Sequence, residues 1–184
     1  MLILLSNDDG IEAAGLRALE AALADLGDVW TVAPATEQSA KSHSLTMHEP
    51  LRVTPHGPQR FSVSGTPADS VYLAAHHLLP RKPDLVVSGI NRGSNLSNDV
   101  VYSGTVAAAR EAASFDIPSV AVSLWVRSAD PHWATAQRVA REVAEETARR
   151  GLPRGVLLNV NVPDIPIEQL AGVRIAPLGR RYYH

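Results

Sequence analysis

Asn7-Asp8-Asp9-Gly10 follows directly on the apolar run Met1-Leu2-Ile3-Leu4-Leu5. Two unit charges about 4 Å apart repel by roughly 4 kcal/mol at an effective dielectric of 20. A hard divalent cation with oxygen ligands would relieve that repulsion; a plain Asp-Gly turn is the competing explanation. Oxygen and amide side chains recur where other apolar runs stop: Gln38 and Ser39 after Val29 to Val32, then Asn91 and Asn95 after Asp84 to Ser88. Two carboxylates, a hydroxyl and a carboxamide suit magnesium or manganese rather than zinc. Tyr102-Ser103-Gly104-Thr105-Val106 opens an alanine-rich segment. As a helix start it would offer free N–H groups and a partial positive charge to phosphate. Ser103 and Thr105 add hydroxyl donors there, and Gly104 permits close backbone approach. Helix capping by Ser103 is the simpler alternative. Converging on one edge, these groups suggest a metal-assisted phosphate site and the chemistry of phosphoester hydrolysis.

Elements that bring them to one edge are legible in the hydropathy pattern. The first run reads as a strand apolar on both faces, as inside a parallel sheet. Glu12 to Leu26 carries Leu16, Leu19, Leu23 and Leu26 at helical spacing, stopped by Gly27. Val29 to Val32 is a second strand, followed by a polar segment from Ala35 to His48. Leu51 to Val63 alternates weakly around His56-Gly57-Pro58, which predicts a hairpin interrupting the α/β rhythm. Thr66-Pro67-Ala68-Asp69 has the form of a helix start, running to about Leu79. Strands at Asp84 to Ser88, Ser119 to Leu124 and Gly155 to Val160 alternate with helices at Thr105 to Ala113 and Pro131 to Arg150; Val173 to Ala176 is a candidate last strand. The alternation predicts a doubly wound, mostly parallel sheet in a single domain over 1–184. Right-handed crossovers then put the strand ends on the same edge.

Composition narrows the classes. A net charge of -2 offers no basic face for a nucleic-acid polymer. There is no cysteine, which excludes disulfides and thiolate metal sites. The leading apolar run is too short for a signal peptide or a membrane span, so the expectation is a cytoplasmic protein without membrane contact. Gly10 to Gly15 has P-loop glycine spacing, but Leu16-Arg17 stands where Lys and Ser/Thr are needed, and no G-x-G-x-x-G follows a strand. His43 or His48 could reach the site from the polar segment, with surface or structural roles the simpler account. Asn159 and Asn161 leave a strand and are further candidates to line it.

These stretches together resemble the survival protein SurE family of nucleoside monophosphate phosphatases. The matches are LLSNDDGIEAAGLRAL, AP-x-x-x-QS with SLT and PL downstream, SGTPADSVYLA, SGINRGSNLSNDVVYSGTVAAAREA and IPSVAVSL, continuing more weakly through LLNVNVP. The resemblance implies a Rossmann-like fold with a small β-hairpin insertion, and hydrolysis of nucleoside 5′- and 3′-monophosphates. Exopolyphosphatase activity occurs in some relatives. It implies one divalent cation, Mg2+ or Mn2+, held by Asp8, Asp9, Ser39 and Asn91. Asn95, Ser103 and Thr105 would contact phosphate, with Gly104 shaping that loop. Asp8 is the expected catalytic residue, either orienting or deprotonating water or attacking phosphorus itself. Ala40, Ser97 and Ala112 stand where the family usually has glycine, and Ser70 where cysteine is frequent. Family members usually continue beyond the position of His184 with segments used in domain-swapped dimers; that part is short or absent here. A homodimer or higher homo-oligomer is the implied state. Two rivals remain at this stage: a non-catalytic nucleotide-binding protein, and a receiver-like signalling module, which would need an acid at the end of a central strand where Asp84 stands at the start of one.

Overall fold

The computed structural model describes residues 1–180. A seven-stranded sheet has the order β3-β4-β2-β1-β5-β6-β7. Its strands are β1 (Leu2–Ser6), β2 (Asp28–Pro34), β3 (Val53–Gly57), β4 (Arg60–Val63), β5 (Leu85–Arg92), β6 (Ser119–Trp125) and β7 (Leu157–Pro163). All neighbours are parallel except β3 and β4. The expected hairpin therefore does not stand apart from the α/β layer: β4 lies parallel beside β2, and β3 becomes the edge.

β1 is buried along its whole length because both faces are covered. Ile3 and Leu5 pack with Leu16, Leu19 and Leu23 of helix α1 (Ala14–Leu23) and Ala136, Ala140 and Ala144 of α4 (Trp133–Arg150). On the other face, Leu4 and Val86 meet Val71 of α2 (Pro67–Leu73) and Ala108 and Ala112 of α3 (Gly104–Ser114). Small residues on α3 let it lie close to the sheet. The expected helix from Thr66 does form: Thr66 and Asp69 close a reciprocal capping box, and α2 continues as a π-helical stretch over Ala74–Leu78.

The chain leaves β1 to one side through β2 and β4, then returns to build β5, β6 and β7 on the other. The strand order thus reverses between β1 and β5. A crevice beyond the carboxyl ends of such a pair is where ligands bind in open α/β sheets. At the opposite edge, Asp84 accepts from Leu2 N at 2.7 Å and pairs with Arg81, which holds its carboxyl down at about 2. That acid lies at the wrong edge for a receiver-like site.

Three boundaries depart from expectation. β5 runs on through Asn91 to Arg92, its ladder with β6 shifting register between Ser88 and Asn91, so Asn91 belongs to an irregular strand end rather than to a loop. Likewise β7 runs on past Val160 to Pro163, so Asn161 lies within it and not beyond it. Val173 to Ala176 forms no strand; its side chains are exposed, and hydrophobicity alone did not supply a partner ladder. Among the described residues, no helix is long and apolar enough to cross a membrane.

Close packing of α1 on β5 generates a test. A Cβ at Gly15 would lie 1.9 Å from Ile90 O, a backbone atom beside Asn91. Overpacking of this kind costs about 1–3 kcal/mol, and each kcal/mol lowers Tm by roughly 2–4 °C in a domain of this size. Gly15→Ala should lower the thermal midpoint accordingly; an unchanged midpoint would show that α1 is not held against β5 there.

Candidate functional site

Asp8 and Asp9 emerge where β1 ends, and α3 begins beside them. Asp8 is 5% exposed, and its Oδ1 accepts from Thr105 Oγ1 at 2.5 Å. Burial pushes its carboxyl above the ordinary range, against the pull of Thr105 and the backbone amides of Thr105 and Gly104. A carboxylate thus sits on the first turn of α3, where free N–H groups and the helix dipole favour negative charge. Gly104 is required for that seat, because a Cβ there would come within 2.6 Å of Asp8 Cβ. Ser103 caps the same helix, its Oγ accepting from Val106 N at 3.1 Å.

Asp9 has a weaker hold. Its Oδ2 accepts from Arg92 N at 3.4 Å. Burial first, then the neighbouring Asp8 charge, raises its pKa to about 6. The pair therefore resists carrying two negative charges unaided, which is the electrostatic condition a cation would meet. Among the described residues no third Asp, Glu or His joins them in a metal-sized cluster. Any ion here completes its coordination with neutral oxygens, a donor set fitting a hard divalent cation.

Those neutral groups stand around the pair in different states. Asn91 donates its amide to Gly93 O at 2.8 Å, which leaves its carbonyl oxygen for another partner. Ser39 is exposed, and its hydroxyl donates to Glu37 Oε1 at 2.7 Å. The adjacent Gln38 N–H nevertheless donates to Asp8 O at 2.7 Å, so the Ser39 loop is stitched to the acid pair through its backbone. Asn95 is buried in structural bonds: its amide donates to Ser123 Oγ at 2.8 Å, and its own N–H and C=O are held by Asn161 and Asn159. The structure thus brings Asp8, Asp9, Gly104 and Thr105 into direct proximity. Ser39 makes no hydrogen bond to the carboxylates, and Ser103 and Asn95 are committed to local roles.

Sequence reasoning missed four supporting groups. Glu37 faces Ser39, and Arg92 supplies backbone to Asp9. Arg60 reaches from β4 to donate to Ile11 O at 2.5 Å, while pairing with Glu12 and Glu20 across the start of α1. Asp164 accepts from the backbone of Arg127, Ser128 and His132, which orders the loop after β6 and holds its carboxyl far below the usual range. Only Asp164, an acid directly after a strand, carried a signal in the sequence. Ala40 and Ser97, both where the resembled family has glycine, keep left-handed φ values of 59° and 56°.

The family model described as Survival protein SurE matches residues 3–184. A 5′-nucleotidase SurE of Citrifermentans bemidjiense is 51% identical over 183 residues, covering 100% of this chain and 74% of that protein. The 5′-nucleotidase SurE of Aeromonas hydrophila is 47% identical over 188 residues, covering 99% of this chain and 73% of that protein. Among solved structures, the SurE protein from Aquifex aeolicus is similar with a TM-score of 0.94 at 39% identity, covering 100% of this chain and 75% of that one.

The raised Asp9 carboxyl has a consequence for stability. A folded pKa of about 6 against the ordinary 3.8 means that ionisation is disfavoured in the fold. The group's contribution is fully present below about pH 4 and is lost as pH rises through 6. In chelator, Asp9→Asn should therefore unfold at a higher temperature than wild type at pH 8, with the gap closing toward pH 4. A gap that is absent or reversed at pH 8 would contradict the electrostatic account.

Proposed function

Because this chain belongs to the SurE family, we propose that it is a divalent-metal-dependent phosphomonoesterase hydrolysing nucleoside 5′- and 3′-monophosphates to nucleoside and phosphate. The observation that carries this reading is Asp8 seated on the start of α3, between Gly104 and the Thr105 hydroxyl, with Asp9 beside it on the sheet edge. The activity for which the relatives are named, 5′-nucleotidase, agrees with that chemistry.

Asp8, Asp9, Ser39 and Asn91 would hold the Mg2+ or Mn2+ ion. When bound, the ion supplies charge stabilisation for a transferring phosphoryl group and an activated water. Asp8 is oriented for its part by the Thr105 hydroxyl on its Oδ1 and by the start of α3, against which its Oδ2 also lies. Ser103, Gly104, Thr105 and Asn95 would form the phosphate side, Ser103 and Asn95 by exchanging bonds that they make locally in this structure. The start of α3 favours anionic oxygens there, as preorganised donors favour developing charge generally. Ser39 would have to give up its hydroxyl's bond to Glu37 to join the other ligands of the ion. A homodimer or higher oligomer belongs to the same reading: Val173, Ile175 and Leu178 are exposed along one extended segment, apolar surface that a second copy would cover.

Phosphate release from a panel of 5′- and 3′-nucleoside monophosphates, with polyphosphate alongside, tests the proposal. Wild type should turn over nucleotides with Mn2+ or Mg2+ and stop in chelator. Asp8→Asn should lose at least about a hundredfold in kcat, the scale of removing one preorganised charge-stabilising group. Release that persists unchanged in the variant would remove Asp8 from the chemistry, and no release by metal-loaded wild type would sink the activity itself.

A further inference from the structure

The loop carrying Ser39 has an anchor away from the acid pair. Glu111 lies midway along α3, 5% exposed among alanines. Its Oε2 meets His43 Nε2 at 2.5 Å, joining residues 68 positions apart. One residue earlier, Ser42 donates its N–H to Tyr102 O at 3.1 Å and its hydroxyl to Val101 O at 2.8 Å. All three bonds fall on α3 or the turn leading into it, the same unit that seats Asp8.

These bonds hold a backbone with little reason to keep its shape alone. Ala40 and Ser42 have φ of 59° and 56°, a left-handed conformation that a Cβ disfavours. Such residues persist only where their surroundings over-determine them. They stand one and three positions beyond Ser39, between the Gln38 bond to Asp8 and the His43 bond to Glu111. A half-buried polar pair such as this is weak evidence for added stability, and the better-attested use of such pairs is to fix one geometry.

We propose that His43 and Glu111 are a positioning pair for the metal site, gripping the loop so that Ser39 is presented to the ion held by Asp8 and Asp9. The inference rests on Ser39 being a metal ligand, as in the reading above. His43 acts through Ser39 and does not touch the ion. Supporting residues of this kind typically change metal affinity by ten- to a hundredfold when removed.

The test is Mn2+ binding to the nucleotide-free protein, read from the electron paramagnetic resonance of the free ion. Wild type, His43→Ala, Ser39→Ala and the double variant form a cycle. His43→Ala and Ser39→Ala should each weaken binding about tenfold or more, and His43→Gln, which keeps a side-chain donor, should recover most of the loss. In the Ser39→Ala background, His43→Ala should cost less than about twofold further, because two changes acting through one contact do not add. Wild-type affinity in His43→Ala overturns the positioning role. So does a loss as large without Ser39 as with it, since His43 would then act elsewhere; both results leave the metal site standing. Unchanged affinity in Ser39→Ala removes Ser39 from the site, and the inference falls with that assignment.

Discussion

A carboxylate placed on the first turn of a helix is the constraint around which this molecule is organised. Asp8 belongs to the segment after β1, and Thr105 to α3, 97 positions later. Their bond joins the central strand to the helix covering it, at the edge where the strand order reverses. Burial opposes charge on Asp8, while the hydroxyl and amides of α3 favour it. Gly104 follows from the same contact, because no side chain fits between the helix and Asp8. Asp9 is then left beside a fixed neighbour of like charge with only a long backbone bond of its own. The repulsion that the proposed cation would relieve is thus built into the fold.

Around that centre the loops are attached rather than merely adjacent. Gln38 bonds to the Asp8 carbonyl, Ser42 to the turn before α3, Ser44 to Thr66, and Thr46 to Asp69. The polar stretch after β2 is thereby fastened to β1, α3 and α2 in succession. Asn159 and Asn161 of β7 do the same for the Asn95 loop. Polar side chains at the carboxyl edge serve two purposes here, some facing the prospective ligand and others fixing the backbone that presents it.

Much of this was readable in the chain. Apolar runs located the parallel strands because both faces of the sheet are covered, and Thr66 to Asp69 announced a helix start that forms as expected. The acid pair was legible because both residues are adjacent in sequence, so their repulsion needs no tertiary information. Contacts between distant residues were not: nothing at His43 names Glu111, and nothing at Asp8 names Thr105 as its direct partner. Asn91 stands beyond the expected end of its strand because the irregularity after Ser88 breaks the apolar pattern without ending the strand. Val173 to Ala176 misled in the opposite sense, since β-branched residues favour a strand only where a neighbouring strand is available to pair.

The central claim is that the acid pair is electrostatically incomplete without a cation. Titration calorimetry with MnCl2, repeated in buffers of different ionisation enthalpy, measures the protons released on binding. Metal ligands must be deprotonated to bind, so a pair raised toward neutrality should surrender protons. With Asp9 at about 6, release should be larger at pH 6 than at pH 8 and should shrink in Asp9→Asn. Binding with no proton release at pH 6, or with release unaffected by Asp9→Asn, would contradict the account.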